Sequence, residues 1–101
     1  MVFYKTATFH FKEGEGKAFM VSLLNDEDGI QLTKAANGYI DFKAFHDADN
    51  EDTIVFWETW ESEDDFKNYL DSRVKSGYVL SIQSRLIGPP TLMSCKRFDN
   101  D

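Results

Sequence analysis

Three aromatic side chains with a fixed spacing are the candidates in this sequence for binding a flat organic molecule. Trp60 ends a stretch of β-branched and aromatic residues, and Phe66 and Tyr69 follow it at helical spacing. Residues i and i+3 of a helix share one face, so Phe66 and Tyr69 would form one wall of a pocket that has Trp60 at its base. The competing interpretation makes all three core residues, with Trp60 seating the helix. The Tyr69 hydroxyl would then need a hydrogen-bond partner.

Two histidines and one carboxylate are the candidates for proton transfer, and none is assigned as catalytic. His10 and His46 are the only histidines, and imidazole titrates near neutral pH, so either could act as a base or as an iron ligand. Both lie near the ends of predicted strands, where solvated histidines without a catalytic role are common. Glu58, if buried, must be paired or protonated, and we expect a salt bridge to a neighbouring strand. The lysines that could form it are Lys5, Lys43 and Lys96.

Motifs for metals and nucleotides are missing from the sequence. It contains no HxxxH, CxxC or carboxylate–histidine cluster, so no metal site is predicted. Gly14 and Gly16 follow a predicted strand but lack the third glycine and the strand–turn–helix context of a dinucleotide site. We therefore expect no bound metal or nucleotide cofactor.

Size and charge restrict the classes of protein that this chain can belong to. The chain has 101 residues, and residues 1–101 are predicted to form a single domain. Eleven basic residues are scattered among eighteen acidic ones, for a net charge of −7, which argues against binding nucleic acid or an anionic membrane surface. The longest apolar stretch, 18–24, is too short to span a bilayer. With no signal-peptide pattern, we expect a cytoplasmic location.

The candidate residues lie on a regular alternation of elements. Ser62 precedes three acids and has Asp65 at capping-box spacing, which predicts a helix beginning after Ser62. Asn37 and Gly38 predict the end of an earlier helix, and the acidic segment 47–52 is interpreted as a solvated hairpin loop. The predicted strands are 3–11, 39–46, 53–60 and 91–98, and the predicted helices begin at Lys17, at Ile30, after Ser62 and near Val79.

The order β-α-β-β-α-β predicts an α+β, ferredoxin-like sandwich with a four-stranded antiparallel sheet and helices on one face. Large apolar residues also fall in the alternate phase of the strands, which would place them on the other face. A partner sheet is the economical cover for them, so we predict a homodimer with Trp57 as an interface residue. The residues predicted to lie on that face are Tyr4, Tyr39, Phe45, Val55 and Trp57.

Four segments together resemble one known family. They are Gly-Tyr-Ile at 38–40, Trp-Glu-Thr-Trp-Glu-Ser at 57–62, the helix 63–74 and Leu-Ile-Gly-Pro-Pro at 86–90. In these segments the chain resembles the antibiotic-biosynthesis-monooxygenase (ABM) domain family, the dimeric α+β barrels. The resemblance covers nearly the whole chain and implies a homodimer with that fold. Members of the family range from oxygenases to proteins with no demonstrated chemistry.

One branch of this family oxidises polycyclic anthrones to quinones without a cofactor. Its strand-end Trp is matched here by Trp60. Phe56 stands where that branch has an Asn, Phe66 where it has a Tyr, and Leu80 near the place of an Arg. The resemblance therefore implies the binding site of this branch without its complete set of polar residues.

A second branch degrades heme, and the helix after Ser62 resembles it more closely. The helix Trp of that branch falls on Tyr69. Val79, however, takes the place of the histidine that ligates heme iron, and Ala7 that of an Asn on the first strand. The resemblance to this branch implies a heme-handling protein that lacks the histidine that ligates the iron.

Three hypotheses follow. The first is a small homodimeric oxygenase that holds an aromatic or quinol-like molecule between sheet and helices and lets O2 react without a metal or nucleotide cofactor. The second is a non-catalytic dimeric module that binds a small apolar ligand. The third is a heme-handling protein. Consumption of O2 separates the first two, because only an enzyme consumes it catalytically.

Overall fold

The computed structural model of the protein describes residues 2–99. Its strands are antiparallel and lie in the order β2-β3-β1-β4, which confirms the predicted four-stranded α+β fold. The elements are β1 (Phe3–His10), α1 (Glu15–Asn25), α2 (Ile30–Lys34), β2 (Tyr39–Asp47), β3 (Asn50–Trp60), α3 (Glu63–Lys75), α4 (Tyr78–Gln83) and β4 (Thr91–Cys95).

The start of α3 is fixed by the predicted cap. Ser62 is extended and its Oγ accepts the backbone N–H of Asp65 at 3.1 Å, while the same hydroxyl donates to the Asp65 carboxylate at 2.8 Å. Gly38 lies against this cap with a φ of 82°, and a Cβ there would come within 2.4 Å of the Asp65 side chain. The Gly38 carbonyl also accepts the N–H of Glu61 at 2.8 Å. The junction of β3 and α3 is therefore locked to the start of β2.

The start of α1 differs from the prediction. The helix begins at Glu15 after Gly14, which has a φ of 78° and no side chain to cap the helix. Asp52 supplies the cap from β3, since its two carboxylate oxygens accept the N–H groups of Gly14 and Gly16 at 3.0 Å each. The interpretation of segment 47–52 as a solvated hairpin loop is confirmed for the turn at 48–49 and for the exposed residues 47–51. It is wrong for the end of the segment, because β3 begins at Asn50 and Asp52 anchors a helix.

A β-bulge at Ile40 changes the predicted side-chain phase of β2. Tyr39 pairs with Trp60 and Asp41 with Thr59, so Ile40 is an extra residue between two pairs. Tyr39 consequently lies on the helix side, edge-on to Trp60 with ring centres 6.0 Å apart. The prediction that Tyr39 lies on the other face is wrong, and Ile40 is 45% exposed.

Two groups of buried residues fill the space between sheet and helices. The larger group centres on Phe9, Phe11, Phe19 and Phe56, and the smaller one consists of Phe3, Trp60 and Phe66. No helix within residues 2–99 has the length and hydropathy needed to span a bilayer.

The other face of the sheet is not covered by residues 2–99. Trp57 alternates with the buried Glu58 and Phe56 along β3 and is 42% exposed, as the predicted phase requires. Phe45 and Met93 are 53% and 56% exposed. We call the set Phe45, Val55, Trp57 and Met93 the open face.

Candidate functional site

A cavity of about 260 Å³ lies between the helix side of the sheet and the helices α3 and α4. Most of its lining is apolar and comes from both layers. Aromatic and aliphatic side chains on a cavity wall suit a small apolar molecule. The apolar residues that line it include Ala7, Phe9, Phe56, Phe66, Leu70, Val74, Val79, Ile82, Leu86 and Leu92, and the polar ones are Lys5, Glu58, Tyr69, Arg73, Tyr78 and Gln83.

Glu58 is the buried acid of this cavity. Its side chain points to the helix side because it alternates with Trp57 along β3, and it is 8% exposed. Burial raises the pKa of the Glu58 carboxyl from 4.5 to about 7, against the opposing effects of a hydrogen bond from Trp60 and the charges of Arg73 and Lys5. Removing a carboxylate from water disfavours its charged form. Glu58 is therefore poised to exchange a proton near neutral pH.

The prediction that Glu58 forms a salt bridge is wrong. Within residues 2–99 no lysine or arginine nitrogen forms an ion pair with its carboxylate. Lys43 pairs instead with Asp41, and Lys5 donates to Ser94 Oγ at 3.1 Å. The hydrogen bond that Glu58 does receive comes from Trp60 Nε1, at 3.1 Å.

The three aromatic candidates lie together. The ring centre of Trp60 is 4.9 Å from that of Tyr69 and 6.0 Å from that of Phe66. Phe66 and Tyr69 line the cavity, whereas Trp60 is fully buried behind it. Trp60 reaches the cavity through its hydrogen bond to Glu58, so it orients the acid.

The hydrogen-bond partners that the Tyr69 hydroxyl needs come from within the chain, so no ligand is required to supply one. It lies 2.6 Å from Thr33 Oγ1 and accepts from Arg73 Nε at 2.8 Å. Arg73, which is 4% exposed, also donates to the main-chain carbonyls of Asp28 and Gly29. This network ties α3 to the segment between α1 and α2 and holds the Tyr69 ring in place.

Sequence reasoning missed the cationic half of the site. Arg73 recurs at helical spacing with Phe66 and Leu70 along α3, and a charge on that apolar stripe is the sequence signal for a buried polar network. Lys5 was considered only as a salt-bridge partner. Its side chain lies 5.4 Å from the centre of the Phe66 ring and faces the cavity.

The histidines lie away from the cavity. His10 is exposed, with Nδ1 3.4 Å from Thr53 Oγ1, and His46 is exposed, with Nδ1 2.8 Å from the Asp47 carbonyl. His46 borders a different cavity, between α1 and the β2–β3 pair. Val79 stands in the candidate cavity, so none of the described residues lining it can offer an imidazole to heme iron. No group of three or more potential metal ligands occurs among residues 2–99.

The sheet order β2-β3-β1-β4, with helices on one face, defines the ferredoxin-like α+β class. A sequence profile described as antibiotic biosynthesis monooxygenase matches residues 2–75. Since this match spans more than half of the chain, the protein belongs to the antibiotic biosynthesis monooxygenase family. The resemblance stated from the segments at 38–40 and 57–62 is confirmed.

The solved structures that share this fold include the following three. Rv0793 from Mycobacterium tuberculosis has a TM-score of 0.80 and 18% identity, over 99% of this chain and 98% of that one. A variant of SnoaB, a cofactor-independent oxygenase from Streptomyces nogalater, has a TM-score of 0.77 and 9% identity, over 98% and 95%. The monooxygenase ActVA-Orf6 from Streptomyces coelicolor, in complex with nanaomycin D, has a TM-score of 0.76 and 18% identity, over 98% and 89%.

No protein with a curated description matches this chain significantly in sequence. At identities of 9–18% the three structures show a common fold.

Proposed function

We propose that this protein is a small oxygenase that binds an aromatic or quinol-like molecule in the cavity between sheet and helices. The observation that carries the proposal is Glu58, a buried acid with a pKa of about 7 in an otherwise largely apolar cavity. A general base works best when its pKa is near the operating pH. Family membership supports the same reaction class.

Glu58 takes the first step of the proposed reaction. Its carboxylate accepts a proton from an acidic C–H or O–H of the substrate and leaves a delocalised carbanion or phenolate, which can pass electrons to O2. For a CH2 group between two aromatic rings, addition of O2 followed by loss of water gives a ketone. One oxygen atom of O2 ends in the ketone, and the other leaves as water with the two substrate hydrogens.

The fixed position of the acid and the apolar lining of the cavity favour this proton transfer. Trp60 Nε1 donates to the Glu58 carboxylate and fixes its orientation, and the apolar walls keep water from the reactive anion. The groups that orient and surround the Glu58 carboxylate therefore belong to the protein itself, and O2 is the co-substrate. SnoaB, described as cofactor-independent, supports a reaction of this kind without a cofactor.

The same proposal includes a homodimer and a cytoplasmic location. Trp57, Phe45 and Met93 are large apolar side chains exposed on the open face, which a second copy of the sheet would cover. ActVA-Orf6 is described with a bound small molecule, which supports a small organic ligand as the main partner.

A non-catalytic binding module is the second candidate. The observation that favours it is the predominance of carbon on the cavity walls, with Phe56 and Phe66 at positions where the anthrone-oxidising branch carries polar side chains. Such a module would bind the same ligands without consuming O2.

Oxygen consumption tests the proposal. The protein is incubated with anthrones and quinols, aerobically and anaerobically, beside Glu58→Gln, which cannot accept a proton, and Glu61→Gln, which removes an exposed carboxylate nearby. We expect catalytic O2 uptake by the wild type and Glu61→Gln and a loss of about 100-fold or more in Glu58→Gln. Stoichiometric binding with no O2 uptake by any compound favours the binding module.

A further inference from the structure

A lysine and a glutamate lie side by side on the sheet wall of the cavity without forming an ion pair. Lys5 and Glu58 are direct partners on β1 and β3, and both line the cavity. Opposed residues of antiparallel strands have Cβ atoms about 5 Å apart, so an ion pair is within reach. The groups diverge instead, since Glu58 accepts from Trp60 while Lys5 donates to Ser94 Oγ at 3.1 Å and lies 5.4 Å from the centre of the Phe66 ring. The cavity therefore keeps an acid and a cation apart.

Of the two cations that line the cavity, Lys5 has more donors left to offer. The Arg73 guanidinium donates to four oxygen atoms of the scaffold, those of Tyr69, Thr33, Asp28 and Gly29. The Lys5 ammonium has three N–H donors and, within residues 2–99, forms one hydrogen bond, to Ser94. Arg73 is committed to holding α3, whereas Lys5 can bind a ligand.

Apart from Glu58, the other groups that line the cavity around Lys5 are uncharged or already hydrogen-bonded within the fold. β3 contributes Glu58; α3 contributes Tyr69 and Arg73, which bond to each other; and α4 contributes Tyr78 and the uncharged Gln83. β4 places Leu92 on the cavity wall, preceded by Pro90. Glu58 is thus the one carboxylate among the described lining residues, and Lys5 faces it from the neighbouring strand.

We propose that Lys5 is the oxyanion-binding residue of this cavity and that its ligands are flat hydroxy-aromatic compounds or enols, held through their deprotonated oxygen. The proton of the ligand O–H passes to the Glu58 carboxylate, which leaves a neutral carboxyl group on β3 and an ion pair at Lys5 on the neighbouring β1. The total charge of the cavity is unchanged by this transfer. An ion pair at low dielectric is stronger than in water.

This inference rests on the proposed oxygenase function for its catalytic consequence, because the same oxyanion is the species that gives electrons to O2. Its binding part can be tested alone. A phenol whose phenolate absorbs at longer wavelength than the neutral form reports both affinity and ionisation, and 4-nitrophenol is the probe. Anaerobic titration prevents turnover from disturbing the measurement.

The variants are Lys5→Met, which keeps the apolar stem; Lys5→Arg, which keeps the charge; and Lys17→Met, which removes an exposed lysine at another cavity. We expect the wild type to bind 4-nitrophenol with a larger phenolate fraction than free solution at the same pH. Lys5→Met should weaken binding about tenfold or more and restore the neutral spectrum. Lys5→Arg should keep most of the affinity, and Lys17→Met should behave as the wild type.

The inference is overturned if the wild type shows no saturable binding, or if a folded Lys5→Met binds the phenolate as well as the wild type does. Should Lys5→Met fail to fold, Lys5→Gln replaces it. O2 uptake decides separately on the proposed function. Phenolate binding that depends on Lys5, with no O2 uptake, keeps the inference about Lys5 and rejects the oxygenase. O2 uptake that is unchanged in Lys5→Met keeps the oxygenase and rejects the inference about Lys5.

Discussion

At the scale of single residues, the decisive feature is the environment of Glu58. Its alternation with Trp57 along β3 indicated that it shares a face with Trp60, and that part of the site could be predicted from the sequence. The absence of a salt bridge to Glu58 could not be predicted from the sequence. Lys5 lies within reach on the neighbouring strand, but its ammonium donates to Ser94 instead. Side-chain direction at such a pair depends on neighbours that only the folded sheet brings together.

The raised pKa of Glu58 makes stability depend on pH. The folded state binds the Glu58 proton more tightly than the unfolded state, so the free energy of unfolding falls as pH rises from about 4.5 to about 7 and then levels off. The interval between these pKa values corresponds to a loss of up to roughly 3 kcal/mol. Glu58→Gln cannot ionise and should lack this loss, while Glu61→Gln should retain it. Chemical denaturation at several pH values measures the difference, and parallel curves for wild type and Glu58→Gln would contradict the buried acid.

A variant of Tyr69 can distinguish a role in supporting the fold from a role in contacting the substrate. Tyr69→Phe leaves Arg73 Nε without its acceptor in a buried position, so the free energy of unfolding should fall by about 1–3 kcal/mol. Thr33→Val is the matched control, because it removes the other partner of the hydroxyl without touching the cavity wall. Turnover and urea unfolding are measured on both. If the proposed pocket uses the hydroxyl, Tyr69→Phe loses more turnover than Thr33→Val, and equal turnover makes Tyr69 a scaffold residue.

At the scale of elements, contacts between residues close in sequence could be predicted, and contacts between residues far apart in sequence could not. The cap of α3 lies within four residues, Ser62 to Asp65, and the sequence showed it. The cap of α1 comes from Asp52, which is 36 residues from Gly16, and the Arg73 network joins residues up to 45 positions apart. No periodicity within a helix or strand encodes such contacts. They explain why the segment 47–52 and the start of α1 were misplaced.

The distant cap of α1 should contribute measurably to stability. Asp52→Ala removes both acceptors from the first turn of α1, and the free energy of unfolding should fall by roughly 1–2 kcal/mol. Asp49→Ala, in the turn of the same hairpin, removes the same charge without a helix cap and should change it by less than about 0.5 kcal/mol. Thermal and urea unfolding measure both variants. Equal effects would show that net charge, and not the cap, matters at this end of the sheet.

At the scale of the whole molecule, the proposed homodimer depends on the open face. A second copy of the chain, stacked sheet to sheet, would cover Trp57 and Phe45, and permanent interfaces commonly bury on the order of 2,000 Å². Trp57→Asp should dissociate the dimer to a monomer of 11.7 kDa, because it places a charge in the centre of that contact. Leu24→Asp, at an exposed position on α1 that is not part of the open face, should leave the dimer intact. Light scattering at micromolar concentration checks both, and a stable wild-type monomer would end the proposal.

Heme gives a further test of the whole site. Val79 stands where the heme-degrading branch has its ligand, and both histidines lie away from the cavity. We expect hemin titration to give no saturable Soret band of a histidine-ligated heme. A one-to-one band that His10→Ala or His46→Ala abolishes would restore the heme hypothesis.

The bulge at Ile40 has a consequence for how the length of this chain can vary. Tyr39 and Asp41 already pair with consecutive residues of β3, so a chain without Ile40 would continue the ladder with every side chain on its present face. Deletion of one residue at a regular position of β2 would move the side chains of the rest of the strand to the opposite face of the sheet. Ile40 is therefore a position where β2 can lose a residue during evolution while the Tyr39–Trp60 contact behind Glu58 stays in register.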